Sequence, residues 1–385
     1  MPAAVAVQDL GQPHARSSVR RSVIESCGAA HRAEGASIQS IDPYNVCMSI
    51  DSSDDRSGDR QGHSGAPPGL PGHDPTHPVE SAVISRLSGN WHRRAAVKRQ
   101  EPDLDDLFEP DRPDCPDSLL PFRDHPTYLA LDDGTKARLR AWGWIAFNKN
   151  IQDIEQRVVN PGFALMAADA FETGLGESMT LAVTQAMVDE QYHTLMHLNA
   201  SAVTRRRRGW AMPDSALPLG HKARRHEERL AAAATPALRQ LDQLAYTTVA
   251  EISINAYLDL VADDDAVQPI NRVTADLHNR DEYCHSSIAA EIAKAAYAHL
   301  TPEHRRFFLA SLADGMEAFA ANDYTTWHRI VELTGIPGGR RMLQDVAASA
   351  ARKRLLQDFG GLHRLCREMD VLDELPFDWS TVCVG

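Results

Sequence analysis

The sequence predicts an all-α protein with a bundle of four long helices at its core and additional helices around it. Over four long stretches, apolar residues recur at three- and four-residue steps, as helices with one buried face require. No stretch alternates apolar and polar residues as a half-buried strand would, which leaves the all-α class. The pattern D-E-x-x-H is also written twice, as Asp189-Glu190-Gln191-Tyr192-His193 and Asp281-Glu282-Tyr283-Cys284-His285, in the second and fourth stretches.

In chain order, residues 1–100 are dense in Gly, Pro, Ser and Asp and poor in apolar side chains, so burial there cannot offset chain entropy. They are expected to be a mostly disordered extension, with one helical domain over 101–385. Within it, Leu139, Trp142, Ile145, Ala146, Ile151, Ile154 and Val158 predict a helix over 135–159, and Asn160-Pro161-Gly162 is expected to stop it. A second helix is expected over 177–200, through Leu181, Thr184, Met187, Val188 and Leu195, with the Arg-rich, Pro-containing stretch 201–220 interrupting it as a loop. Leu238, Leu241, Leu244, Val249, Ile252 and Tyr257 mark a third over 236–261, which leaves at Ala262-Asp263-Asp264-Asp265. The fourth spans 270–299. Thr301-Pro302 then opens another, with Thr as cap and Pro in the first turn, and one more is expected near 337–357.

Charge and cysteine content narrow the function classes. A net charge of −13 over 385 residues argues against nucleic acid as the main partner, since phosphate binding needs a concentrated positive field. Arg205-Arg206-Arg207-Arg208, with Lys222, Arg224 and Arg225 close behind, is the local exception. It is read as a solvated basic connection ahead of a binding face for an acidic partner or electron donor. Six cysteines without a C-x-x-C pair, no run of 18 apolar residues and no signal-peptide pattern predict a soluble cytoplasmic protein with reduced thiols and no membrane contact.

The repeated motif carries the chemistry. Residues three or four apart share a helix face, so Glu190 with His193, and Glu282 with His285, can point at one object. His278 lies four residues before Glu282 and seven before His285, on the same stripe. Single carboxylates fall on the other two helices, Glu155 on the first and Glu251 on the third. A Glu from each of two helices and Glu-x-x-His from each of the other two is the ligand plan of ferritin-like di-iron bundles. Mixed carboxylate and imidazole donors without thiolate suit iron or manganese, and a cation offsets the cost of burying such groups. Asp189 and Asp281 are placed to accept the free N–H of a ligand histidine on the facing helix. His197, Tyr192 and Tyr283 are read as packing residues.

With Glu155, Glu190, His193, Glu251, His278, Glu282 and His285 in this order, the sequence resembles the p-aminobenzoate N-oxygenase family of ferritin-like di-iron oxygenases. The feature that carries the likeness beyond a generic di-iron protein is H-x-x-x-E-x-x-H, His278 to His285, which adds a seventh donor. The resemblance covers about 119–361. It implies two iron ions bridged by oxo or peroxo oxygen, O₂ as co-substrate, an external electron donor and a homodimer. It also implies stepwise oxidation of an aryl amine towards hydroxylamine, nitroso or nitro products in natural-product biosynthesis.

Two alternatives stay open at this level. One keeps the di-iron centre for hydroxylation, desaturation or radical generation; the other is a non-catalytic iron-binding bundle. Phe147, Asn150, Ile151, Ile254 and Tyr257 flank the single carboxylates and are expected to line a substrate cavity. None of them is basic, which argues against a local clamp for a substrate carboxylate.

Overall fold

Helix starts in this chain are written into its caps. In the computed structural model, which describes residues 78–100, 102–349 and 358–384, the side chains of Asp132, Thr235 and Thr301 accept hydrogen bonds from the first-turn N–H groups of Thr135, Leu238 and His304. Proline occupies the first turn of the three helices that begin at 236, 269 and 302, where its missing N–H costs nothing.

The described helices are α1 (Pro78–Arg94), α2 (Pro126–Leu129), α3 (Asp133–Ile154), α4 (Asn160–Ala167), α5 (Gly176–Arg208), α6 (His221–Ala232), α7 (Pro236–Ala262), α8 (Pro269–His299), α9 (Pro302–Ala320), α10 (Tyr324–Thr334), α11 (Gly339–Ser349) and α12 (Gly360–Glu368). Helices α3, α5, α7 and α8 form the four-helix bundle, with α7 and α8 packed along most of their length, α1 against α5, and α9 against α7. Among the described residues no sheet forms, and one isolated bridge joins Asp358 to Cys383. The fold is thus an all-α, ferritin-like bundle with further helices around it.

A continuous core fills the bundle. Trp144, Phe147, Ile151 and Ile154 of α3 and Val158 just after it meet Val183 and Ala186 of α5, Tyr246, Val249 and Ile254 of α7, and Ile288 and Ile292 of α8. Each such aliphatic or aromatic side chain contributes about 1.5–3 kcal/mol when fully buried, so this layer dominates the stability of the bundle. A second cluster, with Phe122, Tyr128, Leu139, Trp142 and Ile145 at its centre, lies against α10 and α11.

Four expectations are corrected. The chain stays helical through Asn160-Pro161-Gly162: Glu155–Val159 form one π-helical turn, the Asn160 N–H bonds the Glu155 carbonyl, and α4 continues to Ala167. A π turn leaves other carbonyls to be satisfied from outside. Thr247 Oγ1 (3.0 Å) and Gln243 Nε2 (2.6 Å) of α7 accordingly donate to the Val158 carbonyl. Gly162 allows that approach, since a Cβ there would lie 1.9 Å from Thr247 Oγ1.

The arginine run is not a loop. It forms the last turn of α5, where basic residues complement the helix dipole, and Gly209 ends the helix in the left-handed conformation at φ 66°. Asp105 pairs with Arg206 and Arg207, Asp214 with Arg205, and Asp114 with Arg208, so nearby acids neutralise the run. Third, α1 lies inside the stretch expected to be disordered, so helical structure begins before residue 100; residues 1–77 lie outside the described residues. Finally, Cys115, Cys284 and Cys366 are buried cysteines outside any disulfide, whereas Cys383 is disulfide-bonded. No described helix is long and apolar enough to cross a membrane.

Candidate metal centre

All seven residues of the expected donor set are buried within the bundle. Glu190, His193, His278 and His285 have no solvent exposure, and Glu155, Glu251 and Glu282 almost none. Glu155 arrives on the π turn, Glu190 and His193 on α5, Glu251 on α7, and His278, Glu282 and His285 on α8. Two groups of donor atoms, each within 4.8 Å of one another, are arranged to hold a cation: Glu190, His193, Glu282 and His285, and beside them Glu155, Glu190 and His278. Glu190 belongs to both. Glu251 stands at the edge of the first group, with Oε2 3.9 Å from His285 Nδ1.

His193 Nδ1 and Glu190 Oε2 form a hydrogen bond at 3.0 Å, but several other contacts are close without being well-formed hydrogen bonds. His285 Nδ1 lies 2.5 Å from Glu190 Oε1, and His278 Nε2 lies 2.8 Å from Glu282 Oε1. Yet Glu155 Oε2, Glu190 Oε1, Glu251 Oε2, Glu282 Oε1, His278 Nε2 and His285 Nδ1 are all buried without a hydrogen-bond partner. Six orphaned polar atoms around one point would cost several kcal/mol if left so. Lone pairs that converge instead of pairing are what a metal ion requires of its ligands.

Electrostatics agree. Burial pushes the Glu155 and Glu251 carboxyls well above the usual range, and the Glu190 and Glu282 charges push them further. Burial also opposes charge on Glu190 and Glu282, but the adjacent imidazoles hold both below the usual carboxylate range. Four carboxylates cannot all ionise here on protein charges alone; two divalent cations would balance them.

Two comparisons with known proteins bear on which bundle this is. The model of the P-aminobenzoate N-oxygenase AurF family matches residues 77–370. A 4-aminobenzoate N-oxygenase from Streptomyces thioluteus is 32% identical over 305 residues, which cover 78% of this chain and 90% of that protein. The chain belongs to the P-aminobenzoate N-oxygenase AurF family.

Around the donors of this family member lies a layer that fixes the imidazoles. His285 Nε2 is 3.1 Å from Asp189 Oδ2, and His193 Nε2 is 3.3 Å from Asp281 Oδ2, each contact crossing from one Asp-Glu-x-x-His helix to the other. A carboxylate that accepts Nε2–H sets the tautomer, so Nδ1 is the atom offered to the centre. His197 Nε2 lies 2.9 Å from His278 Nδ1, and His197 Nδ1 lies 2.6 Å from Asn148 Oδ1. With the Asn148 oxygen accepting from His197 Nδ1–H, His197 Nε2 accepts from His278 Nδ1–H. His278 Nε2 then keeps its lone pair for the centre. Burial holds His197 well below the usual imidazole range, so it is neutral, as this chain of bonds requires.

Several of these participants were invisible to sequence reasoning. Trp91 Nε1 donates to Asp189 at 2.9 Å, Arg94 Nη1 stands 3.4 Å from Asp281 Oδ1, and the Ala96 N–H donates to Asp281 Oδ2 at 3.0 Å. All three come from the stretch set aside for its composition. His197 was placed in the packing, and burial does place it there, one bond from His278.

Phe147, Asn150 and Tyr257 line a cavity of about 130 Å³ together with Gly143, Lys222 and Trp327. Ile151 and Ile254 do not line it; both are packed into the core. None of the five residues named from the sequence is basic, but Lys222 of α6 also lines the cavity.

Proposed function

We propose that Glu155, Glu190, His193, Glu251, His278, Glu282 and His285 hold two iron ions, and that the chain uses O₂ to oxygenate the nitrogen of an aryl amine. The observation that carries this is Glu190, shared by two adjacent groups of buried donors inside a fold of the N-oxygenase family. The fully thiolate-free, carboxylate-rich donor set suits iron. Bound iron would supply the binding and reduction of O₂.

What the chain itself contributes is placement and dryness. Asp189 and Asp281 orient His285 and His193, while the Asn148–His197 pair orients His278, so donor geometry is set before any ligand arrives. Phe147 stacks on Tyr257 with ring centroids 4.6 Å apart, giving an apolar wall that keeps water away and can support an aromatic ring. An external electron donor completes the proposal. A homodimer does as well, supported by the exposed apolar residues Val188, Leu195 and Leu198 along α5.

The test is to load the protein anaerobically with ferrous iron, count the metals bound, then add O₂ and aryl amines and follow products by mass. Two irons per chain and oxygen gained on nitrogen are expected. Oxygen found only on carbon, or fewer than two irons, would overturn the proposal.

A further inference from the structure

An indole links the protein surface to the donor set. Trp91, near the end of α1, is half-buried, and its Nε1–H donates to both oxygens of Asp189 at 2.9 Å. Asp189 Oδ2 accepts in turn from His285 Nε2 at 3.1 Å. From a partly exposed ring to a donor imidazole, the route crosses one carboxylate and two hydrogen bonds. The mirror carboxylate, Asp281, draws its donors from the Ala96 N–H and Arg94, so holding a histidine in place does not by itself call for an indole.

The surface beside that ring is positive. Residues 81–100 carry Arg86, Arg93, Arg94, Lys98 and Arg99 and no Asp or Glu, in a chain whose net charge is −13. Arg94 is engaged with Asp281 at 3.4 Å. Arg99 Nη2 donates to the Arg93 carbonyl at 2.9 Å, which folds the residues after α1 back against its end, and Lys98 Nζ lies 4.3 Å from the centre of the Trp91 ring. Arg93, Lys98 and Arg99 are exposed. Their contacts among the described residues are the Asn90 amide oxygen, the indole and a carbonyl, none of them an anion. The arginine run that ends α5 differs, because Asp105, Asp114 and Asp214 neutralise it. Positive charge left without acid partners thus gathers where Trp91 reaches the surface.

We propose that this face docks an acidic one-electron carrier protein, and that Trp91 and Asp189 conduct its electrons to the centre. Each reduced carrier loses one electron and each ferric ion gains one to become ferrous, so two carriers serve two irons. No bond forms or breaks, and the protons on Trp91 Nε1 and His285 Nε2 stay in place. Electron-transfer partners meet over small areas, under about 1,200 Å², and complementary charge steers them together, so a few cations beside the entry point suffice. The electron route rests on the proposed function; the docking face does not.

The probe is an acidic plant-type ferredoxin, which carries one two-iron, two-sulfur cluster. In its oxidised form it should bind the wild-type protein as isolated, with an affinity that falls as salt rises. Arg93→Glu combined with Lys98→Glu should weaken binding about 10-fold or more. Arg340→Glu combined with Arg341→Glu, an equal change of net charge on exposed residues of α11, should leave it intact. Absence of binding, or equal loss in both double variants, refutes the docking face whatever metal the protein holds. Reduction of the ferric centre by reduced ferredoxin is then followed by absorbance without O₂. In Trp91→Phe the limiting rate at saturating ferredoxin should fall by at least an order of magnitude, while ferredoxin affinity and two irons per chain are kept. An unchanged limiting rate refutes the conduit. If that variant loses iron, the wild-type complex decides: carbodiimide joins ferredoxin carboxylates to lysine, and the linked complex that still reduces the centre should carry its link at Lys98. A reducing complex linked only at other lysines overturns the proposal.

Discussion

Asp189 Oδ2 stands 3.1 Å from Nε2 of His285 on the facing helix, with Trp91 Nε1 on the same carboxylate at 2.9 Å. The mirror contact joins Asp281 to His193, with the Ala96 N–H and Arg94 on its carboxylate. The duplicated motif thus locks two helices through each other's histidines, and α1 covers the lock. Replacing Asp189 with Ala removes the acceptor that holds the imidazole tautomer. Ferrous affinity should fall about 10- to 100-fold, the usual effect of losing such a partner. Titration of iron into the variant checks this, and wild-type affinity would sink the idea.

The buried carboxylates make metal and stability interdependent. Burial and neighbouring charge hold Glu251 well above its usual pKa, which means its ionised form is disfavoured until cations balance it. Glu251→Gln should therefore raise the melting temperature of the chelated protein, by roughly 2–4 °C for each kcal/mol relieved. The same substitution should reduce the stabilisation gained on adding iron, because one ligand is gone. Thermal melts with and without chelator decide it; a Gln variant destabilised to the same extent in both states would contradict this account.

The Asn148–His197–His278 chain makes a separate prediction. His197→Phe preserves volume and aromatic packing against Trp144 and Phe147, whose ring centroids each lie 6.4 Å away, but removes the acceptor for His278 Nδ1–H. His278 can then carry its proton on Nε2, facing the carboxylates. One of the two irons should bind measurably more weakly while the other is retained, visible as a split in a ferrous titration that is a single phase in wild type. His278→Ala should show the same split, and a His197→Phe protein without it would reduce His197 to packing.

Which parts of this were legible in the sequence follows from the range of each interaction. The Asp-Glu-x-x-His pairs, His278 and the helical stripes are encoded by spacings of three, four and seven, so they could be read directly. Helix α7 could be bounded within a residue because Thr235-Pro236 and the Asp-rich exit mark its ends. By contrast, Pro161 falsely signals a stop, because the π turn and the side chains of Thr247 and Gln243 from another helix supply what the local backbone lacks. Helix α1 hides behind the composition of its surroundings, and Lys222 reads as one more member of a basic run. Both owe their place to contacts across more than sixty residues of chain, such as Gly220 with Asp153, which no local pattern expresses.

Gly162 tests the helix crossing that supports the π turn. A methyl group added there would sit 1.9 Å from Thr247 Oγ1 and 2.7 Å from its Cβ. Gly162→Ala must push α4 from α7 and should cost about 1–3 kcal/mol, the usual penalty of overpacking. Because Glu155 rides on the turn just before α4, iron affinity should fall with it. Gly162→Ala combined with Thr247→Ala removes the Oγ1 that would lie 1.9 Å from the new methyl, at the cost of its bond to Val158, and should recover part of the loss. No recovery in the double variant would place the strain elsewhere.

His226 sets an acid limit on stability outside the metal centre. It is fully buried beside Tyr246, ring centroids 4.9 Å apart, and burial lowers its pKa to about 4. The unfolded chain binds a proton here near pH 6.5 and the folded chain only near pH 4, so protons favour unfolding between those values. The stability contributed by this neutral histidine is fully present above pH 6.5. It is lost as pH falls towards 4, by on the order of 3 kcal/mol in total. His226→Leu keeps the side chain apolar at every pH and should flatten that part of the curve. Denaturant melts of the chelated protein between pH 7 and 4 measure the difference, and the titration of the buried glutamates and histidines of the centre, common to both proteins, cancels between wild type and variant. If wild type and His226→Leu lose stability in parallel over this interval, the acid sensitivity lies in other groups and His226 is protonated while folded.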